Sequence, residues 1–305
     1  MKDIPIINLD TVEDERNFGF RIATNRQILV HEDLVVNPFE PHRIRFYAIL
    51  LILEGEGLHY IDFKAYPYQQ GSMVFISKEQ VHAFEYNDDR KAFFVLFSED
   101  FLEKGGWSAQ SNLLQQLSLY NYHLYPPTIQ LDQNQMAAFT QLAERMTLEY
   151  NSPMDDFTVD IIHSALFMFL SMAERIRKQN SEITAIPKYQ EEFTRFQKLL
   201  QKEVLNSRKV QDYADQLLVS TKKLNRITQA MLGISAKAYI DEVLIIEIKR
   251  LLMNTSSSIS EIAYLSGFNE VTNFVKFFKK HTKLNPSAFR NQIQTIIRQR
   301  SPKSK

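Results

Sequence analysis

The run Ile259–Arg290, ISEIAYLSGFNEVTNFVKFFKKHTKLNPSAFR, constrains this chain more than any other segment. Ser258-Ile259-Ser260-Glu261 has the form of a capping box, in which a serine hydroxyl and a glutamate satisfy each other's backbone N–H groups at a helix start. Ile262, Ala263 and Leu265 begin an apolar face, and Gly267 permits a turn conformation that side chains resist. A second helix follows. Val271, Phe274 and Phe278 recur at i, i+3, i+7 and must face inward, with Phe277 at the edge of that core. Thr272, Asn273, Lys276 and Lys280 face out, flanked by Lys279, and a Pro-x-x-Phe-Arg tail (Pro286 to Arg290) closes the run. Two short helices about a glycine turn form a helix-turn-helix, whose second helix suits the DNA major groove.

A partial second copy lies upstream, at Val210–Ile240. Val210–Leu218 reads as one helix, and Ser220 is placed to cap the next. Leu224, Ile227 and Met231 form its inner stripe, and Lys222, Asn225, Arg226 and Gln229 its outer one. Arginine can grip guanine O6/N7, and Asn or Gln can pair with adenine N6/N7; Lys223, at the edge, suits phosphate. Taken alone, that face reads better as an ordinary solvated surface. Between the copies, Ile240, Leu244, Ile248 and Leu251 or Leu252 stripe a continuous helix, which would fix the separation of two readers.

Charge agrees with this division. Residues 1–187 carry 15 Lys+Arg against 26 Asp+Glu, and residues 188–305 carry 21 against 10, although the whole chain is neutral. A basic C-terminal part is expected of a phosphate-docking domain. The absence of cysteine excludes disulfides, thiolate catalysis and zinc fingers. The opening MKDIPIINLD has no long apolar core and reads as carrying no signal peptide; no apolar run is long enough for a membrane helix. A cytoplasmic protein is expected.

The N-terminal part reads as strands. Phe46–Leu53, Leu58–Phe63, Met73–Ile76 and Lys91–Phe97 are short β-branched or aromatic runs, separated by turn signals at Glu54-Gly55-Glu56-Gly57, Gln70-Gly71 and Asn87-Asp88-Asp89. That spacing predicts a small antiparallel barrel or sandwich. Two helical stripes follow: Met136, Phe139, Ala143 and Met146, then Phe157, Ile161, Ala165, Met168 and Met172, with Asp155-Asp156 at the start of the second. They predict a hairpin packed on the barrel. Ile162, Phe169 and Leu170 make the second helix more broadly apolar than one stripe needs, so it serves a core or a dimer face. Asp155-Asp156 and Asp88-Asp89 read as a helix start and a turn, not as a catalytic pair, and no phosphate loop or nucleophile motif is present.

The C-terminal ~110 residues resemble the AraC/XylS-type transcriptional regulators. The matching residues are Ala214, Leu217, Ser220, Leu224, Arg226 and Gly233, then Ile262, Ala263, Gly267, Phe268, Phe274, Phe278, Lys279, Pro286 and Arg290. Three positions depart: Lys283 stands where that family has Gly, Asn285 where it has Ser or Thr, and Phe289 where Tyr is common. The resemblance implies that Lys222, Asn225 and Arg226 read bases from the first unit, and Thr272, Asn273 and Lys276 from the second. Lys223, Gln229, Lys279 and Lys280 complete the expected DNA-binding set.

The strand region resembles the cupin-like sensor domain of the same family, through Pro41-His42-Arg43, Phe46-Tyr47, Gly55-Glu56-Gly57, His59–Phe63 and Gly71 to His82. It looks nearest to members that sense small aromatic acids. Cupin enzymes carry a His-x-His pair, a carboxylate and a later His. Here Arg43-Ile44 follows His42, so no metal, cofactor or catalytic residue is expected. His42, Arg43, Tyr47, Tyr60 and His82 are the expected effector-binding residues, with Tyr47 and His82 a candidate pair.

The expectation is an α+β chain. Residues 1–178 form a cupin-like effector-binding and dimerisation domain with a helical hairpin, 179–189 a linker, and 190–305 an all-α DNA-binding domain. Its helix-turn-helix units fall at about 208–233 and 258–282, joined by a long helix at about 236–254. The expected function is sequence-specific, effector-responsive activation of transcription by a homodimer that engages double-stranded DNA and RNA polymerase and no membrane. A ligand-independent dimeric regulator and a cupin enzyme with an accessory DNA domain are the alternatives.

Overall fold

The computed structural model describes residues 5–9, 16, 18–25, 39–85, 90–104, 117–122, 125–180, 187–254 and 257–292. The chain divides into two compact units, Pro5–Asn180 and Ser181 onward. Most of the expected linker, the Asn87-Asp88-Asp89 turn and the basic tail from Arg298 lie outside the described residues.

The N-terminal unit has two five-stranded sheets. Its strands are β1 (Ile6–Ile7), β2 (Phe20–Thr24), β3 (His42–Ile44), β4 (Tyr47–Glu54), β5 (Gly57–Ile61), β6 (Lys64–Tyr68), β7 (Ser72–Ile76), β8 (Val81–Phe84), β9 (Lys91–Phe97) and β10 (Thr128–Gln130). The sheet orders are β1-β3-β8-β5-β6 and β10-β7-β4-β9-β2, and among the described residues every pairing is antiparallel except β1 with β3. Strand β4 explains the apolar run read from the sequence. Ala48, Leu50 and Ile52 point into the core between the sheets, while Ile49 and Leu51 point into a second core. A strand buried on both faces has no polar face to alternate with.

The second core lies between the outer face of that sheet and the expected helical hairpin. After a short α1 (Glu99–Lys104), the hairpin is α2 (Gln133–Asn151) and α3 (Thr158–Asn180). Asp132 and Gln135 make a capping box at the start of α2. Asp155 accepts the Phe157 and Thr158 N–H groups ahead of α3, so this carboxylate is a helix start, as its sequence position indicates. Phe139, Ala143 and Met146 of α2 meet Ile162, Leu166, Phe169 and Leu170 of α3 in the core. Of the expected α3 stripe, Ala165 is buried, but Phe157 and Met168 stand 67% and 48% exposed.

The C-terminal unit is helical: α4 (Pro187–Glu203), α5 (Val210–Gln216), α6 (Thr221–Leu232), α7 (Ala236–Asn254), α8 (Ile259–Leu265) and α9 (Val271–Thr282), with a further helical segment at 286–292. Phe193 and Phe196 of α4 pack against Tyr213 of α5 and Tyr239 of α7 at ring separations of 5.7–5.9 Å. Helix α7 buries Ile240, Leu244, Ile248 and Leu252 and packs against elements of both helix pairs.

Candidate nucleic-acid interface

Each reading helix is built by the residues that the sequence marks out. In the first unit the Ser220 hydroxyl accepts the Lys223 N–H at 3.1 Å, Leu224 and Ile227 are fully buried, and Met231 nearly so. In the second, the Ser258–Glu261 capping box forms in both directions, and Phe274 and Phe278 are fully buried. The two turns match bond for bond. Val219 N–H donates to the Ala214 carbonyl at 2.9 Å, and Phe268 N–H donates to the Ala263 carbonyl at 3.0 Å.

The Pro-x-x-Phe-Arg tail also has a physical role. Asn285 caps the last helical segment by accepting the Ala288 N–H at 2.7 Å, and Pro286 stands at the helix start, where its missing N–H costs nothing. Phe289 packs edge-on against Phe278, and Arg290 donates to the Leu252 and Ser257 carbonyls, tying the tail to the end of α7.

Superposing the units by position pairs Lys222 with Thr272, Lys223 with Asn273 and Arg226 with Lys276. All six are exposed, as are Gln229, Lys279 and Lys280. Three carry contacts within the protein. Lys223 forms a surface ion pair with Glu192 of α4 at 3.1 Å, Asn273 donates to Glu270 at 3.3 Å, and Gln229 donates to the Gly233 carbonyl at 2.9 Å. Asn225 departs from the expectation of an outward base reader. Its side-chain oxygen accepts the Ala236 N–H at 3.0 Å, capping α7, and its amide donates to the Thr221 carbonyl. It stands where the second unit has Val275, half-buried beside the inner stripe.

The barrel places the expected effector residues on three different surfaces. His42 and His82 are register partners on β3 and β8, with rings 4.2 Å apart. His59 joins them: its Nε2 lies 3.2 Å from His82 Nδ1. Arg90, not anticipated from the sequence, lies 3.8 Å over Phe84 and donates to the Tyr68 hydroxyl. Burial lowers His42 to about 4, and burial, with Arg90 and the neighbouring imidazoles, holds His59 and His82 well below the usual histidine range. All three rings are therefore neutral at pH 7. Burial lowers Arg90 to about 10, so it keeps its charge. Among the described residues no group of three His, Cys, Asp or Glu side chains is arranged to hold a metal ion.

Tyr47 and His82 are not a pair. Tyr47 stacks on Phe97 and meets Tyr120 edge-on in the core beneath the hairpin, whereas His82 shares the inner face of Phe84. Burial, with Glu99 and Tyr122 nearby, raises the Tyr47 phenol. Arg43 alternates to the other face of β3 and pairs with Glu79 at 2.9 Å. Tyr60 alternates with the inward His59 and Ile61, so it too leaves the interior. A groove of about 420 Å³ opens beside the interior, lined by Gly57, Leu58, Tyr68, Gln69, Ser72 and Gln130 among others. Tyr68 is the link between that groove and Arg90.

Comparison with known families fits both units. A model described as an AraC-like ligand binding domain matches residues 29–160, and one described as a helix-turn-helix domain matches residues 213–292. Together these matches give the chain the two domains of AraC-type regulators, an AraC-like ligand binding domain and a helix-turn-helix domain. This AraC-type chain is 23% identical to the HTH-type transcriptional activator RhaS of Escherichia fergusonii over 268 residues, covering 88% of this chain and 93% of that protein. It is 22% identical to the HTH-type transcriptional activator RhaR of Cronobacter sakazakii over 278 residues, covering 91% and 95%. Among solved structures, ToxT from Vibrio cholerae aligns over 89% of this chain and 98% of that one, at 16% identity and a TM-score of 0.42. An AraC-type regulator from Chromobacterium violaceum aligns over 35% and 95%, at 25% identity and a TM-score of 0.32. The RhaS and RhaR relatives are transcriptional activators, not enzymes. Among the described residues no helix is long and apolar enough to cross a membrane.

Proposed function

We propose that this protein activates transcription in the cytoplasm by reading two successive major-groove segments of one operator, one with α6 and one with α9. The observation that carries the reading is the pair of exposed triplets at equivalent positions, Lys222, Lys223 and Arg226 against Thr272, Asn273 and Lys276. They stand on two helices anchored to one 19-residue scaffold helix, α7. Such a scaffold spans about 28 Å, which suits readers one DNA turn, about 34 Å, apart. Lys279, Lys280 and Gln229 flank the triplets and serve phosphate. The activating sign follows the RhaS and RhaR relatives, which are transcriptional activators, with RNA polymerase as the partner beside the promoter.

The barrel reads as an effector site centred on His42, His59, His82 and Arg90. The charged Arg90 among the rings of Phe84, Phe94 and Tyr68 supports an acid with an aromatic body, its carboxylate directed to the guanidinium. Phe157 and Met168, with half-buried Ile161 and exposed Ser164 between them, make an uncovered stripe along the start of α3; this face supports a homodimer. Regulation then requires that the effector bind one functional state more tightly than the other.

Selection of genomic fragments by the full-length protein at physiological salt tests this. The expected result is a recurrent site of two short boxes one helical turn apart. Bound fragments that share no sequence would reduce the basic unit to an electrostatic patch.

A further inference from the structure

The loop between α4 and α5 belongs to the first helix-turn-helix unit, yet its contacts reach three elements. The Ser207 carbonyl accepts from the Tyr213 hydroxyl of α5 at 2.7 Å. The Arg208 carbonyl accepts from Lys237 Nζ of α7 at 3.2 Å. The Arg208 guanidinium leaves its own unit and lies 4.0 Å over Phe268 and 5.2 Å from Phe277. Those rings are 5.4 Å apart; Phe268 fills the turn of the second unit and Phe277 stands on α9 itself. In the same loop the Leu205 carbonyl sits 3.0 Å from where a Cβ on Gly267 would be. The loop thus presses its backbone on the turn of the second unit and its cation on that unit's aromatic face.

A scaffold helix alone fixes how far apart two readers stand, but leaves each free to pivot about its own packing on that helix. A contact off the helix axis removes this freedom. Arginine suits the role: its planar guanidinium stacks on ring faces and stays charged. We infer that Arg208, seated on Phe268 and Phe277, is a positioning residue that fixes the spacing and rotational phase of α6 and α9, so that the protein selects one spacer length between its two DNA boxes. This rests on the two-box reading proposed above. Spacing is a demanding variable, since each added base pair displaces the second box by about 3.4 Å and turns it by about 34°.

The test uses the full-length protein and a two-box duplex that it recovers from a random-sequence pool. Spacers one or two base pairs longer or shorter are compared with duplexes in which one box is scrambled. The wild type is expected to lose about tenfold or more in affinity per base pair of mis-spacing. Arg208→Ala is expected to hold its single-box affinities within about twofold while its spacing penalty falls to about threefold or less. Phe277→Leu, which keeps apolar volume but removes the ring, should flatten the spacing profile in the same way. The salt slope should not change, because the guanidinium lies on rings and not on phosphate. An unchanged spacing profile in Arg208→Ala overturns the inference. So does a loss shared equally by single-box and two-box duplexes with a shallower slope, which would make Arg208 a phosphate contact. A wild type indifferent to spacing also overturns it while leaving both readers standing. Failure to recover any recurrent two-box site would instead remove the two-box reading, and the inference with it.

Discussion

In the first helix-turn-helix unit the turn is made by Leu218 at φ 57° and the reading helix ends on Gly233 at φ 71°; in the second, Gly267 at φ 73° makes the turn and Lys283 at φ 65° ends the helix. The backbone demand is the same at both places in both units, a left-handed residue, and the helix ends carry matching bonds. Gly233 N–H donates to the Gln229 carbonyl at 3.0 Å, and Lys283 N–H donates to the Lys279 carbonyl at 2.9 Å. The glycines are crossed because the surroundings differ. The Leu218 side chain is 89% exposed, and nothing stands within 4 Å of a Cβ placed on Gly233. At Gly267 the Leu205 carbonyl occupies that space. A left-handed backbone prefers glycine everywhere, but only a close neighbour compels it.

Gly267→Ala is therefore expected to produce the largest effect. It combines the left-handed strain with crowding against a backbone oxygen that cannot rotate away, and should cost about 2–3 kcal/mol. Gly233→Ala meets the strain alone and should cost about 1 kcal/mol. Amide hydrogen exchange in α9 and α6 would separate the two. Equal losses would break the comparison, because they would make the Leu205 contact irrelevant.

Base reading sharpens the comparison at the next level. Arg226→Ala and Lys276→Ala remove side chains at the same position of the two helices. Each should cost roughly 1–3 kcal/mol on a selected site, and each should relax preference in a different box. If both relaxed the same box, the two units would not read separately. Asn225→Ala gives the contrasting outcome: a loss of about 1 kcal/mol in stability from the missing cap on α7, with base preference unchanged in a selection experiment.

The misreading of Asn225 shows where the sequence stops being legible. Inner stripes at Leu224, Ile227, Met231 and at Val271, Phe274, Phe278 declare themselves, because burial imposes a helical period on apolar residues. A polar residue that caps the following helix leaves no period, and only its counterpart Val275 shows that the position is not an outer one. The barrel was legible as a set of strands, yet its interior was not. Tyr47 lies on a strand buried on both faces, so alternation gives no sign of which core it enters. The strands β3 and β8, which bring His42 and His82 together, are only three and four residues long, too short for a pattern. Arg90 lies just ahead of β9, and its inward course follows from the rings of Phe84 and Tyr68 that receive it.

Two substitutions test the crossed glycines from the stabilising side. Leu218→Gly and Lys283→Gly each relieve a left-handed side chain and add flexibility to the unfolded chain, so a net gain of at most about 1 kcal/mol is expected from each. A matching rise in urea midpoint for both would show that the two positions are equivalent in backbone cost. A loss of DNA affinity in Leu218→Gly alone would show that its exposed side chain has a partner beyond the protein.

The smallest expected difference is one of pH. His281 of α9 stands where α6 has Met231, its ring tilted against Phe277 at 4.5 Å, with its Nε2 buried and without a hydrogen-bond partner. Burial lowers its pKa from 6.5, Lys280, Lys237 and Lys283 lower it further, and Asp241 opposes them. A histidine whose folded pKa is depressed contributes stability that is complete above pH 6.5 and is lost as pH falls through the folded value. The second unit should therefore loosen on acidification where the first does not. Global unfolding would mix this with the barrel, because His42, whose pKa is lowered to about 4, also loses stability as pH falls. A local readout is needed, namely amide exchange in α9 relative to α6 between pH 7 and pH 5. His281→Met, which copies the first unit, should abolish the difference. Persistence of the difference in that variant would assign it to another group and leave the two units alike at this position.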